Sequence, residues 1–171
     1  GPTLAHFGSK AQKDRVLPDL IQGKVFFSLA LTEPEAGSDA ASLRTRAEQQ
    51  ADGSFLINGS KLYISQCASA DWQILAARTD FQCKKQEGIT LFLVEKPAAH
   101  PAVTCHRLET MGLSIVPTYS VTYENLHLPA DAVIGEVNQG WQALLHGLDM
   151  ERFYHGAIGT GVSRRYFAAC S

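Results

Sequence analysis

The sequence predicts a mainly β fold, an antiparallel barrel or sandwich-like domain with a short helix before it and a helix after it, α+β overall. Three observations predict it. Short apolar or alternating runs recur through the middle of the chain, turn dipeptides separate them at short intervals, and helical spacing is confined to the two ends. No long amphipathic segments lie between the strand candidates, which argues against a doubly wound parallel sheet.

Near the start, Ala11, Val16, Leu17, Leu20 and Ile21 sit among Lys10, Lys13, Asp14 and Arg15, a pattern that predicts a short helix or turn leading through Pro18 to Gly23. Beyond Gly23 the texture changes. Leu43, Thr45 and Ala47 alternate with Arg44, Arg46 and Glu48, the period of a half-buried strand. Asp52-Gly53 follows as a turn, and 54–57 and 61–65 flank Asn58-Gly59, a dipeptide suited to a tight hairpin, so two successive hairpins are expected. Further strands are expected at 72–78, 89–95, 102–107 and 118–124. From Asn138 onward Trp141, Leu144, Leu145, Leu148 and Phe153 recur near the helical repeat and predict a helix, still running at Cys170-Ser171, so both ends are expected to be cut from something longer.

A length of 171 residues fits about one domain, and 45% hydrophobic with 19% charged residues describes a globular chain. Fifteen Lys and Arg against 17 Asp and Glu leave a formal charge of -2, so there is no basic surplus for nucleic acid. The apolar stretches fall far short of the roughly 20 residues of a membrane-spanning helix. The opening residues lack the charged-then-apolar order of a secretory signal, and a reducing compartment is expected, cytoplasmic or, in a eukaryote, the mitochondrial matrix. Cys67, Cys83, Cys105 and Cys170 are widely spaced and read as reduced, small buried hydrophobes. No metal is expected, since His100, Cys105 and His106 fit no common ligand spacing. There is no G-x-S-x-G elbow, and the glycines at 156–161 follow a helix, which suits close helix packing better than dinucleotide binding.

The most informative segment is 29–39, Leu-Ala-Leu-Thr-Glu-Pro-Glu-Ala-Gly-Ser-Asp. It runs from an apolar strand into a loop whose N–H groups and hydroxyls suit an anion, or in which Ser38 and Asp39 satisfy their own backbone. As a string it resembles the T-E-P-x-A-G-S-D signature of the acyl-CoA dehydrogenase family of flavoenzymes. Residues 57–65, Ile-Asn-Gly-Ser-Lys-Leu-Tyr-Ile-Ser, resemble the family's I-N-G-x-K-x-W-I-T strand. Upstream, 7–13 with Leu17-Pro18 is similar to its F-G-T-x-x-Q-K and L-P run, and Gly140-Trp141 with Asp149-Met150-Glu151-Arg152 is similar to its G-W and E-R elements.

The resemblance implies a division into the end of an N-terminal helical domain (1–24), a middle β domain (25–136) and the start of a C-terminal helical domain (137–171), less than half of a full member. It implies FAD as cofactor, an acyl-CoA thioester as substrate, a flavin-linked electron acceptor and a homo-oligomer. By carry-over, Tyr63 takes the place of the aromatic against the flavin and Ser65 that of the hydroxyl near N5. Leu31 (backbone) and Thr32 take the place of the groups at the pyrimidine edge, and Gly37 and Ser38 lie near the pyrophosphate or the acyl-CoA entrance. Alternation places Tyr63 and Ser65 on one face of their strand and Leu62 and Ile64 on the other. The base that takes the α-proton lies either in the missing helical domain or at Glu151, with Arg152 ordering the site and Asp149 near the acyl-CoA. Two alternatives stay open: a truncated or remnant β module that does not hold FAD stably, and an acyl-CoA oxidase-like enzyme.

Overall fold

A computed structural model describes residues 1–111 and 115–170; Ser171, the last residue of the third expected segment, lies outside the described residues. Helices α1 (Pro2–Phe7) and α2 (Lys10–Ile21) open the chain. Ser9 caps α2 by accepting from the Gln12 N–H, and the Gln12 side chain returns a bond to the Ser9 N–H, so the first turn is closed from both sides. Strands follow as β1 (Phe27–Ala30), β2 (Arg46–Gln49), β3 (Phe55–Ser65), β4 (Trp72–Arg78), β5 (Ile89–Glu95), β6 (Val103–Arg107), β7 (Thr118–Leu128) and β8 (Val133–Ile134). Helix α3 (Gly140–Cys170) ends the described chain.

The strands form one mixed sheet in the order β6-β7-β3-β2-β4-β5-β8, with β1 beside β4, and it does not close into a barrel. Its pairings are antiparallel except β1 with β4 and the short contact of β2 with β4, which are parallel. The sheet folds over on itself around a core that includes Phe55, Ile57 and Tyr123 from one part and Leu75, Phe92 and Val94 from another. Phe55 meets Phe92 edge to face at 5.0 Å, and the Tyr123 hydroxyl donates to Gln73 Oε1 across this interior at 2.7 Å. A second core lies between the sheet and the helices, where Trp72, Ile74, Ala76, Leu91 and Leu93 meet Leu4, Val16, Ala143 and Leu144. Strand β4 is therefore buried on both faces, which is why its sequence is almost continuously apolar.

Two sequence expectations are corrected. Asp52-Gly53 does make the β2–β3 turn, with Gly53 at φ 84 and the Asp52 carboxylate accepting from the Ser54 N–H and hydroxyl. Asn58-Gly59, however, does not turn the chain: it is an irregularity within the single strand β3. The Asn58 amide bonds to Asn125 on β7, and Gly59 passes so close to Thr45 that an added Cβ would lie 2.7 Å from its Cα. The second correction concerns the strand expected over 43–48, which begins only at Arg46. The Leu43 carbonyl is taken by Arg78, and the Arg44 and Thr45 N–H groups are taken by Glu33, so these groups are lost to a ladder.

Candidate functional site

Strand β1 delivers Leu31 and Thr32 alongside β3. The Leu62 N–H donates to the Thr32 carbonyl at 2.8 Å, and Lys61 Nζ donates to the Leu31 carbonyl at 3.0 Å and to Glu33 Oε1 at 2.9 Å. The Glu33 carboxylate also accepts from the N–H groups of Arg44 and Thr45 at 2.6 and 2.8 Å. The ion pair is buried, with the Lys61 side chain wholly enclosed. Burial brings the Lys61 ammonium down to about 8 against the opposing pull of Glu33. Burial also works against the Glu33 carboxylate, but the Lys61 charge and the donated hydrogen bonds outweigh it and hold the carboxyl below its usual value.

This clamp fixes the two backbones from which Thr32 and Tyr63 project. Tyr63 has φ 60, an uncommon conformation for a large side chain, and it lies where the β3–β7 register shifts between Lys61 and Ile64. The bulge keeps Lys61 and Ile64 inside and leaves Tyr63 and Ser65 outside, with Leu62 half-buried. Tyr63 is 64% exposed. Among the described residues the hydroxyls of Thr32, Ser38, Tyr63 and Ser65 engage no protein partner. Gly37 and Ser38 sit on the exposed loop that follows, where a Cβ on Gly37 would meet nothing within 4 Å. Glu35 faces solvent and pairs with Arg44 at 3.5 Å.

The other expected residues lie on α3. Asp149 and Arg152 pair with each other on its exposed surface. Glu151 instead lines a cavity of about 420 Å³ between α1, β1 and α3, whose walls include Phe27, Leu29, Ile74, Leu144 and Leu148. Of the three polar residues singled out on this helix, only Glu151 reaches that apolar space. The cavity and the Tyr63 face are linked through β1, since Phe27 and Leu29 line the one and Leu31 and Thr32 border the other. The structure thus places the Leu31–Thr32 backbone beside Lys61 and Leu62 of β3, leaves Tyr63 and Ser65 exposed next along that strand, and sets Glu151 on the cavity that Phe27 and Leu29 of β1 line.

The acyl-CoA dehydrogenase middle-domain family model matches residues 28–126. The chain belongs to the acyl-CoA dehydrogenase family. An acyl-CoA dehydrogenase of Mycobacterium tuberculosis is 35% identical over 95% of this chain and 41% of its own length. A mitochondrial isovaleryl-CoA dehydrogenase of Oryza sativa subsp. japonica is 36% identical over 93% of this chain and 38% of its own length. Among solved structures, an acyl-CoA dehydrogenase from Geobacillus kaustophilus superposes with a TM-score of 0.82 at 33% identity, covering 88% of this chain and 40% of that one. Butyryl-CoA dehydrogenase from Megasphaera elsdenii gives 0.78 at 33% identity, covering 82% and 36%. The chain therefore spans about two fifths of the length of these acyl-CoA dehydrogenases.

Sequence reasoning missed the residues that hold the acyl-CoA dehydrogenase motif in shape. Glu33 and Lys61 lie within the recognised strings, yet nothing in the linear order pairs them; a lysine flanked by inward positions of a strand was the available signal. Arg78 was missed as well. Its buried guanidinium donates to the carbonyls of Leu43, Ala41, Glu87 and Lys85, at 3.0, 2.6, 3.2 and 3.0 Å, tying the segment after the motif loop to the loop after β4. An arginine closing an otherwise apolar strand was its only trace.

Proposed function

We propose that this chain carries the flavin-facing surface of an FAD-dependent enzyme that dehydrogenates an acyl-CoA thioester at its α and β carbons. The observation that supports it most is the exposed Tyr63 side chain, held at positive φ beside the clamped Thr32 peptide, where the bulge that buries Lys61 and Ile64 turns a large aromatic outward. The residues present fit a flavin. A flat ring, three unpartnered hydroxyls at Thr32, Ser38 and Ser65, and open space over Gly37 match a planar heteroaromatic group that carries a phosphate tail. When bound, FAD supplies a hydride acceptor at N5.

In this reading Tyr63 lies against the ring and Ser65 offers its hydroxyl near N5. Thr32 and the Leu31–Thr32 backbone meet the pyrimidine edge, while Gly37 and Ser38 border the pyrophosphate or the acyl-CoA. The Glu151 carboxylate takes the substrate's α-proton, supported by its place on an apolar cavity suited to an acyl chain. Arg152 neutralises Asp149, which lies toward the CoA portion, and so keeps the helix surface near Glu151 from accumulating negative charge. The division at 24 and 136 follows the same reading, with 25–136 as the middle domain. An acyl-CoA substrate, a flavin-linked acceptor, self-assembly and a cytoplasmic or matrix location belong to it too.

A second reading has the chain as a scaffold that needs further helices to retain FAD. It is favoured by the apolar side chains of α3 beyond Met150, where Phe153, Tyr154 and Tyr166 are all more than 60% exposed. The test is a visible spectrum after mixing with FAD and desalting, followed by acyl-CoA thioesters of several chain lengths. Retained flavin absorbance that acyl-CoA bleaches in the parent but not in Glu151→Gln supports the first reading. A folded, colourless chain refutes it and leaves the scaffold.

A further inference from the structure

The four cysteines are free, but two that are far apart in sequence are brought into contact. Cys67, in the short turn after β3, and Cys105, on β6, have their sulfurs 3.3 Å apart. We propose that Cys67 and Cys105 form a reversible oxidation site, a dithiol that a hydroperoxide converts to a disulfide within the folded chain. The inference does not depend on the flavin reading.

The surroundings favour bond formation. The sulfurs need to close by roughly 1 Å to reach the bonding distance of about 2.0 Å. Strand β6 is an edge strand paired only with β7, so Cys105 can move toward its partner at little cost to the sheet. Cys67 is held from the other side, since Gln73 Nε2 donates to its sulfur at 3.4 Å and to Ser28 Oγ at 3.1 Å, while Gln73 Oε1 accepts from the Tyr123 hydroxyl.

The two thiols also differ in character. Cys67 is buried and Cys105 half-buried. The hydrogen bond between the two sulfurs lowers the Cys105 thiol below its ordinary value against the opposing effect of burial, whereas the same bond and burial push Cys67 up. Cys105, the more exposed of the two and on the edge strand, is the sulfur that a peroxide reaches first and so the attacking one. Its thiolate displaces hydroxide from one peroxide oxygen and becomes a sulfenic acid; the hydroxide gains a proton and leaves as water. Cys67 then attacks the Cys105 sulfur, the S–O bond breaks, and the second oxygen leaves as water with the Cys67 proton. Two thiols and one peroxide give one disulfide and two waters. Because Cys67 follows Ser65 by two residues, the bond pins the end of the strand that bears Tyr63 and Ser65.

The test uses hydrogen peroxide on a Cys83→Ser, Cys170→Ser chain, read by intact mass after alkylation in denaturant, by non-reducing peptide mapping and by Tm. The expected result is loss of two hydrogens, no alkylation, a peptide joining Cys67 to Cys105, and a Tm higher by on the order of 10 °C, all reversed by dithiothreitol. Adding Cys105→Ser removes the linkage and the Tm rise. Peptide mapping of the unsubstituted chain gives the same linkage and needs no variant to fold. Three results overturn the proposal: both thiols still alkylate, Cys105 gains oxygen without the loss of two hydrogens, or the linkage lowers Tm.

Discussion

Replacing Lys61 by methionine keeps the aliphatic stem that fills the core and removes only the ammonium. Glu33 then stays buried with two backbone donors but no counter-charge, and the Leu31 carbonyl loses its donor as well. Breaking one side of a buried ion pair costs about 3–5 kcal/mol, a large share of the roughly 5–15 kcal/mol that holds a domain folded. Lys61→Met should thus shift the urea midpoint strongly downward at unchanged slope, read by circular dichroism. Glu33→Gln with Lys61→Met removes both charges, and this double variant should be more stable than the summed single losses imply by about 1–2 kcal/mol. A Lys61→Met loss under about 1 kcal/mol, or strict additivity, would refute the clamp, since either means that the pair is not enclosed and mutually dependent as its geometry indicates.

The acid limb of stability should report on Glu33. Its carboxyl ionises at lower pH in the folded chain than its ordinary 4.5, so the folded state binds fewer protons between the two values; this stability is present above about pH 4.5 and is lost as pH falls through the folded value, and Glu33→Gln should flatten that limb in pH-dependent urea titrations. Gly59→Ala places a Cβ 2.7 Å from the Thr45 Cα at a backbone φ of 151, and should cost about 2 kcal/mol or more. Gly37→Ala meets nothing within 4 Å and should cost less than about 0.5 kcal/mol, the contrast being read by thermal denaturation. Arg78→Lys cannot reproduce the guanidinium's bonds to four carbonyls on two segments of backbone; it should cost about 2–3 kcal/mol and speed tryptic cleavage at Lys84 and Lys85, as followed by mass spectrometry.

Local patterns were legible where a single physical cause acts along the chain. Strands β4 and β5 start and end where the sequence places them, because both are predominantly apolar and bounded by polar or glycine-rich turns. The strings around Thr32 and Tyr63 were legible in a different way, through their resemblance to the family's motifs and not through any periodicity. Asn58-Gly59 was misread because the freedom that makes a tight turn also permits a close passage over Thr45, and only the β7 partner Asn125 decides between them. The parallel β1–β4 pairing, the Lys61–Glu33 clamp and the Cys67–Cys105 contact join residues separated by 28 or more positions. No periodicity carries such information. Residue type also says little here: lysine and arginine are ordinarily exposed, yet Lys61 and Arg78 are buried because the fold brings carbonyl and carboxylate partners to them.

The central claim, that the Tyr63 surface receives an isoalloxazine ring, is tested most directly by titrating the chain into riboflavin and into FAD while following flavin fluorescence, beside Tyr63→Gly. Glycine accepts the φ of 60 without strain, so the variant should be no less stable while losing the ring. The account predicts saturable quenching of both flavins by the parent chain and none by Tyr63→Gly at an undiminished Tm. Quenching that is absent from the folded parent, or equal in the two chains, would contradict it.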